Sequence, residues 1–465
     1  MTQFSFNGIG VSFGATTILR DVTFTVAAGE KWGVIGRNGS GKTTLFRMLT
    51  GEQSPSTGTI AKTPNLRFAV LDQHREFAGV TTVWGAVADA FRELIDLEAD
   101  LARQADALAH AGEQVTEQQL KRYALDLERF EHEGGYSYVT RVDTVLTGLG
   151  FDPEQARHEA LSHLSGGERG RVALARQLVI PADVMLLDEP TNHLDLDGRR
   201  WLAAYLRVFP GAVLVASHDR EFLDRVASDI VELSDVTTGL EFYPGVGWTG
   251  YQTEKAQRAH RLDLQLEAQE KFRQRLADSI SAAKQRSVGH EAANALNPGA
   301  RRTARMVARK ALTHERRLQR QLDSDRWAVA PPSRDDLELT QRTVEGGARV
   351  VRVRDLAVTA GERILYAVDV TFTTNDRIWV TGANGVGKSS LLRALRPHLP
   401  DSAYLDQLDV LFPPEITAFE ALRDAVPAYA HETEATLTAY GLTAADWTRP
   451  ASRLSVGQAR RRVGG

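Results

Sequence analysis

The sequence contains no cysteine, which excludes disulfides and thiolate metal sites. It has no apolar run near the roughly 20 residues that a membrane-spanning helix needs, and no amino-terminal secretory pattern. It also lacks an excess of charge of either sign: 56 Lys and Arg face 60 Asp and Glu, a net of −4. What remains, 42% hydrophobic and 25% charged residues over 465 positions, has the composition of a globular chain long enough for two or three domains. The expectation is a cytoplasmic protein. The near-neutral total hides one strongly basic segment.

An internal repeat organises the chain. VSFGATTILRDVTFTVAAGEKWGVIGRNGSGKTTLFRML, beginning at Val11, is answered by LAVTAGERILYAVDVTFTTNDRIWVTGANGVGKSSLLRAL, beginning at Leu356. Each copy reads as short β-branched runs and an apolar strand (Lys31–Ile35; Arg377–Thr381), followed by a glycine-rich loop and a helix opening at a lysine. Each also satisfies GxxxxGK[ST], in the strand–loop–helix setting that this motif requires. Gly36, Asn38, Gly39 and Gly41 build the first loop; Gly382, Asn384, Gly385 and Gly387 build the second. Glycines let backbone N–H groups converge on phosphate oxygens, and the helix that follows turns its positive end to the anion. Lys42 and Lys388 can neutralise phosphate charge, and Thr43 and Ser389 can offer hydroxyls to Mg²⁺, with Thr44 and Ser390 next in line. This pattern predicts nucleotide binding and does not by itself predict hydrolysis.

Hydrolysis needs a group that orients water. Val184–Leu187 forms an apolar run ending in Asp188-Glu189; Asp188 suits a Mg²⁺ ligand and Glu189 a water-polarising carboxylate. Alone, the pair also fits a solvated strand end. TNHLD follows, and then Val213–Ala216, another apolar strand, ends at His218, which can contact a γ-phosphate or simply be structural. Gln73, in LDQH, can reach metal and water but alone signifies nothing.

Together these motifs resemble the ATP-binding cassette superfamily: a P-loop, Gln73, LSGGE, LLDEP, Asp195 and His218 follow one another in its order. The resemblance implies an α/β fold of two P-loop NTPase cassettes, with ATP and Mg²⁺ as ligand and cofactor. It further implies that Ser165, Gly166 and Gly167, and again Ser455 and Gly457, cap the γ-phosphate held by the opposite cassette. Phe13 matches the aromatic that stacks on adenine, whereas the aligned Thr359 cannot, and Gln407 matches Gln73 in the second copy.

Between the cassettes lies a segment without P-loop features. Gly245–Tyr251 reads as an exit turn, Gln252–Lys284 as a helix, Ser287–Ala300 as a tip and Arg301–Leu322 as a returning helix, a hairpin roughly 45–50 Å long at 1.5 Å per residue. From Tyr251 to Arg320 there are 16 Lys and Arg against 7 Asp and Glu, a net of +9. Arg301, Arg305 and Arg309 recur every four residues on one face, with Arg302 and Lys310 beside them. Such a row suits a phosphate backbone, although an ordinary charged surface helix also fits. Aromatics are sparse, so base stacking is not indicated.

Fused cassettes with a charged helical linker resemble the ABC-F family. That resemblance implies three domains (1–243, 244–345 and 346–465), an ATPase acting as a translation factor or in ribosome protection against antibiotics, and a linker at ribosomal RNA and P-site tRNA. Helical Phe91–Glu131 is similar to the family's arm-bearing region. A monomer with intramolecular cassette pairing is expected, without membrane or DNA partners. The alternative is a soluble ATPase subunit of an exporter; a DNA-repair ATPase would need a long coiled coil or zinc-binding insertions. The chain ends just after LSVGQ, where GERGRVAL of the first copy becomes GQARRRVGG, so the second cassette is expected to be truncated and its activity impaired.

Overall fold

The computed structural model describes residues 2–13, 16–37, 39–70, 77, 79–111, 114–234, 239–293, scattered helical positions from 306 to 320, 349–360, 363–399, 416–425, 430–439, 442 and 447–450. The chain divides into two compact units. One gathers Met1–Ala227, Val231–Glu241 and Arg334–Gly465; the other gathers Ser228–Ile230 and Phe242–Ser333.

In the first half, β1 (Thr2–Phe13), β2 (Thr16–Ala27) and β4 (Thr57–Lys62) form an antiparallel sheet in the order β2-β1-β4. A six-stranded sheet carries β5 (Phe68–Val70), β6 (Val184–Asp188), β7 (Ala212–Ala216), β3 (Lys31–Gly36), β8 (Asp229–Leu233) and β9 (Leu240–Tyr243), in that order. β3, β6 and β7 read KWGVIG, VMLLD and AVLVA. Such continuous apolar runs belong to parallel strands covered on both faces, and almost every residue in them is buried. Their ladders are parallel, with Lys31 opposite Val213 and Asp188 opposite Ala216. Phe24 of the antiparallel sheet packs edge-on against Trp32 of the parallel one, with ring centroids 4.8 Å apart. The two sheets thus share one aromatic core.

The helices start where the chain offers caps. α1 (Lys42–Thr50) follows the glycine loop. After it come α2 (Val83–Ala88), α3 (Arg92–Ala111), α4 (Glu117–His132), α5 (Tyr138–Gly148) and α6 (Pro153–Ala156). The stretch expected to be helical from Phe91 to Glu131 is thus two helices, α4 opening on a capping box of Thr116 with Gln119. α7 (Gly166–Val179) opens on a capping box of Ser165 with Glu168, while Asp195 caps α8 (Leu196–Val208) and Asp219 caps α9 (Arg220–Val226).

In the second unit, α10 (Trp248–Ala293) is one helix of 46 residues, about 69 Å long at about 1.5 Å per residue. This corrects three expectations: helix replaces turn from Trp248 and replaces the tip from Ser287 to Ala293, and the rod is longer than inferred. A lone glycine such as Gly289 costs only about 1 kcal/mol in a helix, and the Ala, Lys, Gln and Arg around it are strong helix formers. At the base of α10, Arg258 lies 4.1 Å over the Tyr243 ring and donates to the Phe242 carbonyl.

The second half contains the hairpin β10 (Val350–Ala360) and β11 (Arg363–Thr373), then α11 (Lys388–Leu395), α12 (Ala418–Ala425) and α13 (Ala430–Ala439). Val353, Leu356 and Leu395 make one small core, and Ala418, Leu422, Leu437 and Leu442 another. The strand expected at Arg377–Thr381 is not formed. Those residues carry no strand, and Ile378 and Trp379 are exposed. The physical reason is pairing: β3 is a strand because β7 lies hydrogen-bonded beside it, and no described strand lies beside 377–381.

Candidate nucleotide site

The first glycine loop leaves β3 and enters α1. Gly36, Gly39 and Gly41 have φ of 155°, 85° and 102°, values that other residues rarely adopt. At Gly36 a Cβ would meet the Ser40 Oγ at 2.4 Å, and at Gly41 the Ile18 side chain at 2.7 Å. The Lys42 ammonium donates to the Gly36 and Arg37 carbonyls at 2.6 and 3.1 Å, so the loop wraps the lysine. Burial lowers the Lys42 pKa, against the opposing charges of Asp188 and Glu189. Thr44 sits half-buried one residue further along α1.

The end of β6 brings two carboxylates to this loop, and the end of β7 brings His218 to the second of them. The Thr43 hydroxyl donates to the Asp188 carboxylate at 2.8 Å, joining residues 145 positions apart. Glu189 follows with φ 51°, left-handed for a residue with a side chain, and its N–H donates to the Ala216 carbonyl at 2.8 Å. The His218 backbone N–H donates to the Glu189 Oε2 at 3.3 Å, and the His218 Nε2 lies 3.4 Å from the Glu189 Oε1. Burial raises the Glu189 pKa, and the His218 charge works against it. A carboxylate raised in this way is a better proton acceptor when ionised.

Sequence reasoning missed the residues that brace this pair. Thr191 and Ser217, both buried, share a hydrogen bond of 3.1 Å between their hydroxyls. Ser217 also accepts from the Asp219 N–H at 3.1 Å, and Asp219 pairs with Arg199 at 2.9 Å. Their only sequence signal is adjacency, to LLDEP in one case and to His218 in the other. The Ser40 hydroxyl is buried with no hydrogen-bond partner among the described residues.

The signature region lies at the start of α7, where the Ser165 hydroxyl accepts from the Glu168 N–H at 3.3 Å. Gly166 and Gly167 carry no side chain to crowd that helix start, and a Cβ on Gly167 would lie 3.8 Å from the His193 Nδ1. The second glycine loop approaches here. The Asn384 side chain donates to the His193 carbonyl at 2.6 Å, and the Asn384 backbone N–H to the Asp195 Oδ2 at 3.2 Å. Burial works to raise the Asp195 pKa, but the N–H groups of Gly198 and Asn384, with the charges of Arg171 and Lys388, outweigh it and hold it low. In that loop Gly382, Gly385 and Gly387 have φ of 148°, 83° and 92°, and Lys388 donates to the Gly382 and Ala383 carbonyls, both at 2.7 Å. Ser389 and Ser390 follow on α11.

Several expected site residues fall outside the described residues: Asn38, Gln73, Gln407, Ser455, Gly457, Arg301, Arg302 and Arg305, as does the Phe13 side chain. Thr359 is exposed, and so are Arg309 and Lys310, which are helical.

Two glycine loops, each turning into a helix at its lysine, and a carboxylate pair at the end of β6 define a nucleotide-binding P-loop cassette. Residues 19–192 match the ABC transporter family. Over 478 residues the chain is 33% identical to the tylosin resistance ATP-binding protein TlrC of Streptomyces fradiae, covering 99% of this chain and 86% of that one. It is 29% identical over 467 residues to the energy-dependent translational throttle protein EttA of Mycobacterium tuberculosis, covering 96% and 78%. It is 31% identical over 399 residues to ABC transporter F family member 2 of Arabidopsis thaliana, covering 83% and 54%. The chain belongs to the ABC-F family of ATP-binding cassette proteins. Among the described residues no helix is long and apolar enough to cross a membrane.

Proposed function

We propose that this chain hydrolyses ATP at the site built around Lys42, Thr43, Asp188, Glu189 and His218, and that it acts on the ribosome. The observation that carries the first part is the convergence of the Thr43 hydroxyl on Asp188 at 2.8 Å beside the half-buried Glu189. A hydroxyl and a carboxylate at a helix start form a small, hard oxygen set, which suits Mg²⁺, a cation that takes few protein ligands and completes its shell with phosphate and water. No group of three or more His, Cys, Asp or Glu that could hold a metal occurs among the described residues. Thr43 and Asp188 would hold the ion, which when bound neutralises charge building up on the phosphates.

The chain's own residues do the rest. The loop N–H groups and Lys42 bind the phosphates, and Glu189 polarises the attacking water and accepts its proton. His218 steadies Glu189 through its backbone N–H and holds the γ-phosphate. Ser165, Gly166 and Gly167 cap the phosphates on the second loop, where Asn384, Lys388, Ser389 and Ser390 serve. We read the domains as 1–243, 244–345 and 346–465.

The ribosomal part rests on the rod of α10, on the net charge of +9 from Tyr251 to Arg320, and on two relatives, one named for a translational throttle and one for tylosin resistance. Polyanion binding is the chemistry that a segment of this charge supports. Ribosomal RNA and P-site tRNA are the proposed partners, and Arg301, Arg302, Arg305, Arg309 and Lys310 the proposed contacts. The test is pelleting of the purified chain with ribosomes, with and without ATP. Arg301, Arg305 and Arg309 changed together to glutamate should leave the supernatant fraction full; a triple variant that pellets like the parent removes the polyanion reading.

A further inference from the structure

Gln177 lies on α7 and is only 2% exposed, one of the few polar side chains in the core of the first half. Its amide nitrogen donates twice, to the Ala69 carbonyl at 3.1 Å and to the Leu186 carbonyl at 2.9 Å. Ala69 belongs to β5 and Leu186 to β6, which are neighbours in the sheet. One amide therefore ties the signature helix to two strands at once. Its own oxygen is buried without a partner among the described residues. A buried amide is costly, and an apolar side chain of similar size would fill the space without that cost. The two N–H bonds are what Gln177 adds beyond volume.

The location gives those bonds a consequence. Among the described residues β5 is an edge strand of three residues with β6 as its sheet neighbour, so the ladder described there anchors it weakly. On β6, Leu186 is two residues before Asp188, which accepts from Thr43, and three before Glu189. The carboxylate pair stands at the end of a short strand that this bond ties to α7.

We infer that Gln177 is a positioning residue for Asp188 and Glu189: it holds the end of β6, and β5 beside it, at a fixed depth beneath the signature helix. It touches neither nucleotide nor metal. The inference rests on the proposed roles of Asp188 and Glu189. It goes beyond them by assigning the geometry of that pair to a side chain on another element.

The test uses the full chain. Gln177→Met keeps length and apolar volume and removes both donors. Its turnover should fall about tenfold, and the Mg²⁺ concentration for half-maximal rate should rise about tenfold, the low end of the range seen when groups that orient metal ligands are lost. Affinity for ATP in EDTA, which reports the glycine loop and Lys42, should stay within about twofold of the parent, well under the tenfold that 1.4 kcal/mol represents. Gln177→Glu supplies the second variant. Facing two carbonyls, its carboxyl must keep its proton to donate, so its turnover should fall further below the parent's as pH rises from 6 to 8.5. Unchanged turnover and Mg²⁺ requirement in Gln177→Met overturn the inference. So does a parallel loss of affinity in EDTA, which would mean general loosening. Glu189→Gln, run beside them, separates the two readings. If it turns over like the parent, the site assignment falls; if it is inactive while Gln177→Met is unaffected, only the positioning role falls.

Discussion

The two glycine loops are nearly superposable in local terms and unlike in everything around them. Their three leading glycines have φ of 155°, 85° and 102° in one copy and 148°, 83° and 92° in the other. Each lysine folds back on two carbonyls of its own loop, and each helix begins with an N–H donated to the last glycine at 2.8 Å, from Leu45 and from Leu391. The strands leading in diverge. Trp32 of β3 is 8% exposed, whereas Ile378, which aligns with it, is 59% exposed and in no strand. A loop closed by hydrogen bonds within eight residues forms wherever its sequence occurs. A parallel strand forms only where other strands supply its hydrogen bonds and cover its faces.

If the first half does the chemistry, Glu189→Gln should lower ATP turnover by about 10² to 10⁴-fold while nucleotide binding persists. Residual turnover near the parent level would place hydrolysis elsewhere and break the contrast between the halves. The packing contrast is tested by matched truncations. Trp32→Ala should cost about 3–5 kcal/mol of stability, because it empties a packed aromatic site. Ile378→Ala should stay within about 0.5 kcal/mol, as exposed substitutions do. Urea unfolding of both variants checks this, and equal losses would mean that residues 377–381 are packed in solution.

The two lysines give a smaller difference. Lys42→Ala should weaken ATP binding about ten- to hundredfold, the worth of a hydrogen bond to a charged group. Lys388→Ala should weaken it less, because its loop is more open to solvent. Titration calorimetry on both variants measures the gap.

The smallest effect concerns Lys31, at the start of β3, which donates to the Phe209 and Gly211 carbonyls at 2.8 and 2.6 Å. Burial pushes its pKa down to about 8 from 10.5. Between those values the unfolded chain holds more protons on this residue than the folded chain, so folded stability rises with pH across that window. Below it the cost of the buried charge is present in full. Measured against Lys31→Met, the parent should therefore gain stability from pH 8 to 10.5, read as a rising difference in urea midpoints. Arg377, which aligns with it, is exposed, and Arg377→Met should show no such trend.

Some features depend on neighbours in the chain, and these the sequence alone determined. The glycine loops, the lysine-headed helices, the capping box at Ser165 and the apolar runs ending at Asp188 and Ala216 all follow from residues within one turn or one strand of each other. Their order was enough to indicate the family, because each motif meets a separate chemical demand of a phosphate ligand. Other features tertiary structure decided. The contacts of Thr43 with Asp188, of Asn384 with His193, and of Gln177 with two strands join residues that are far apart in sequence or lie on different elements. The failure of 377–381 to form a strand has the same origin. The residues there favour a strand as much as those of β3 do, but strand hydrogen bonds come from a neighbour, and no local pattern can supply one.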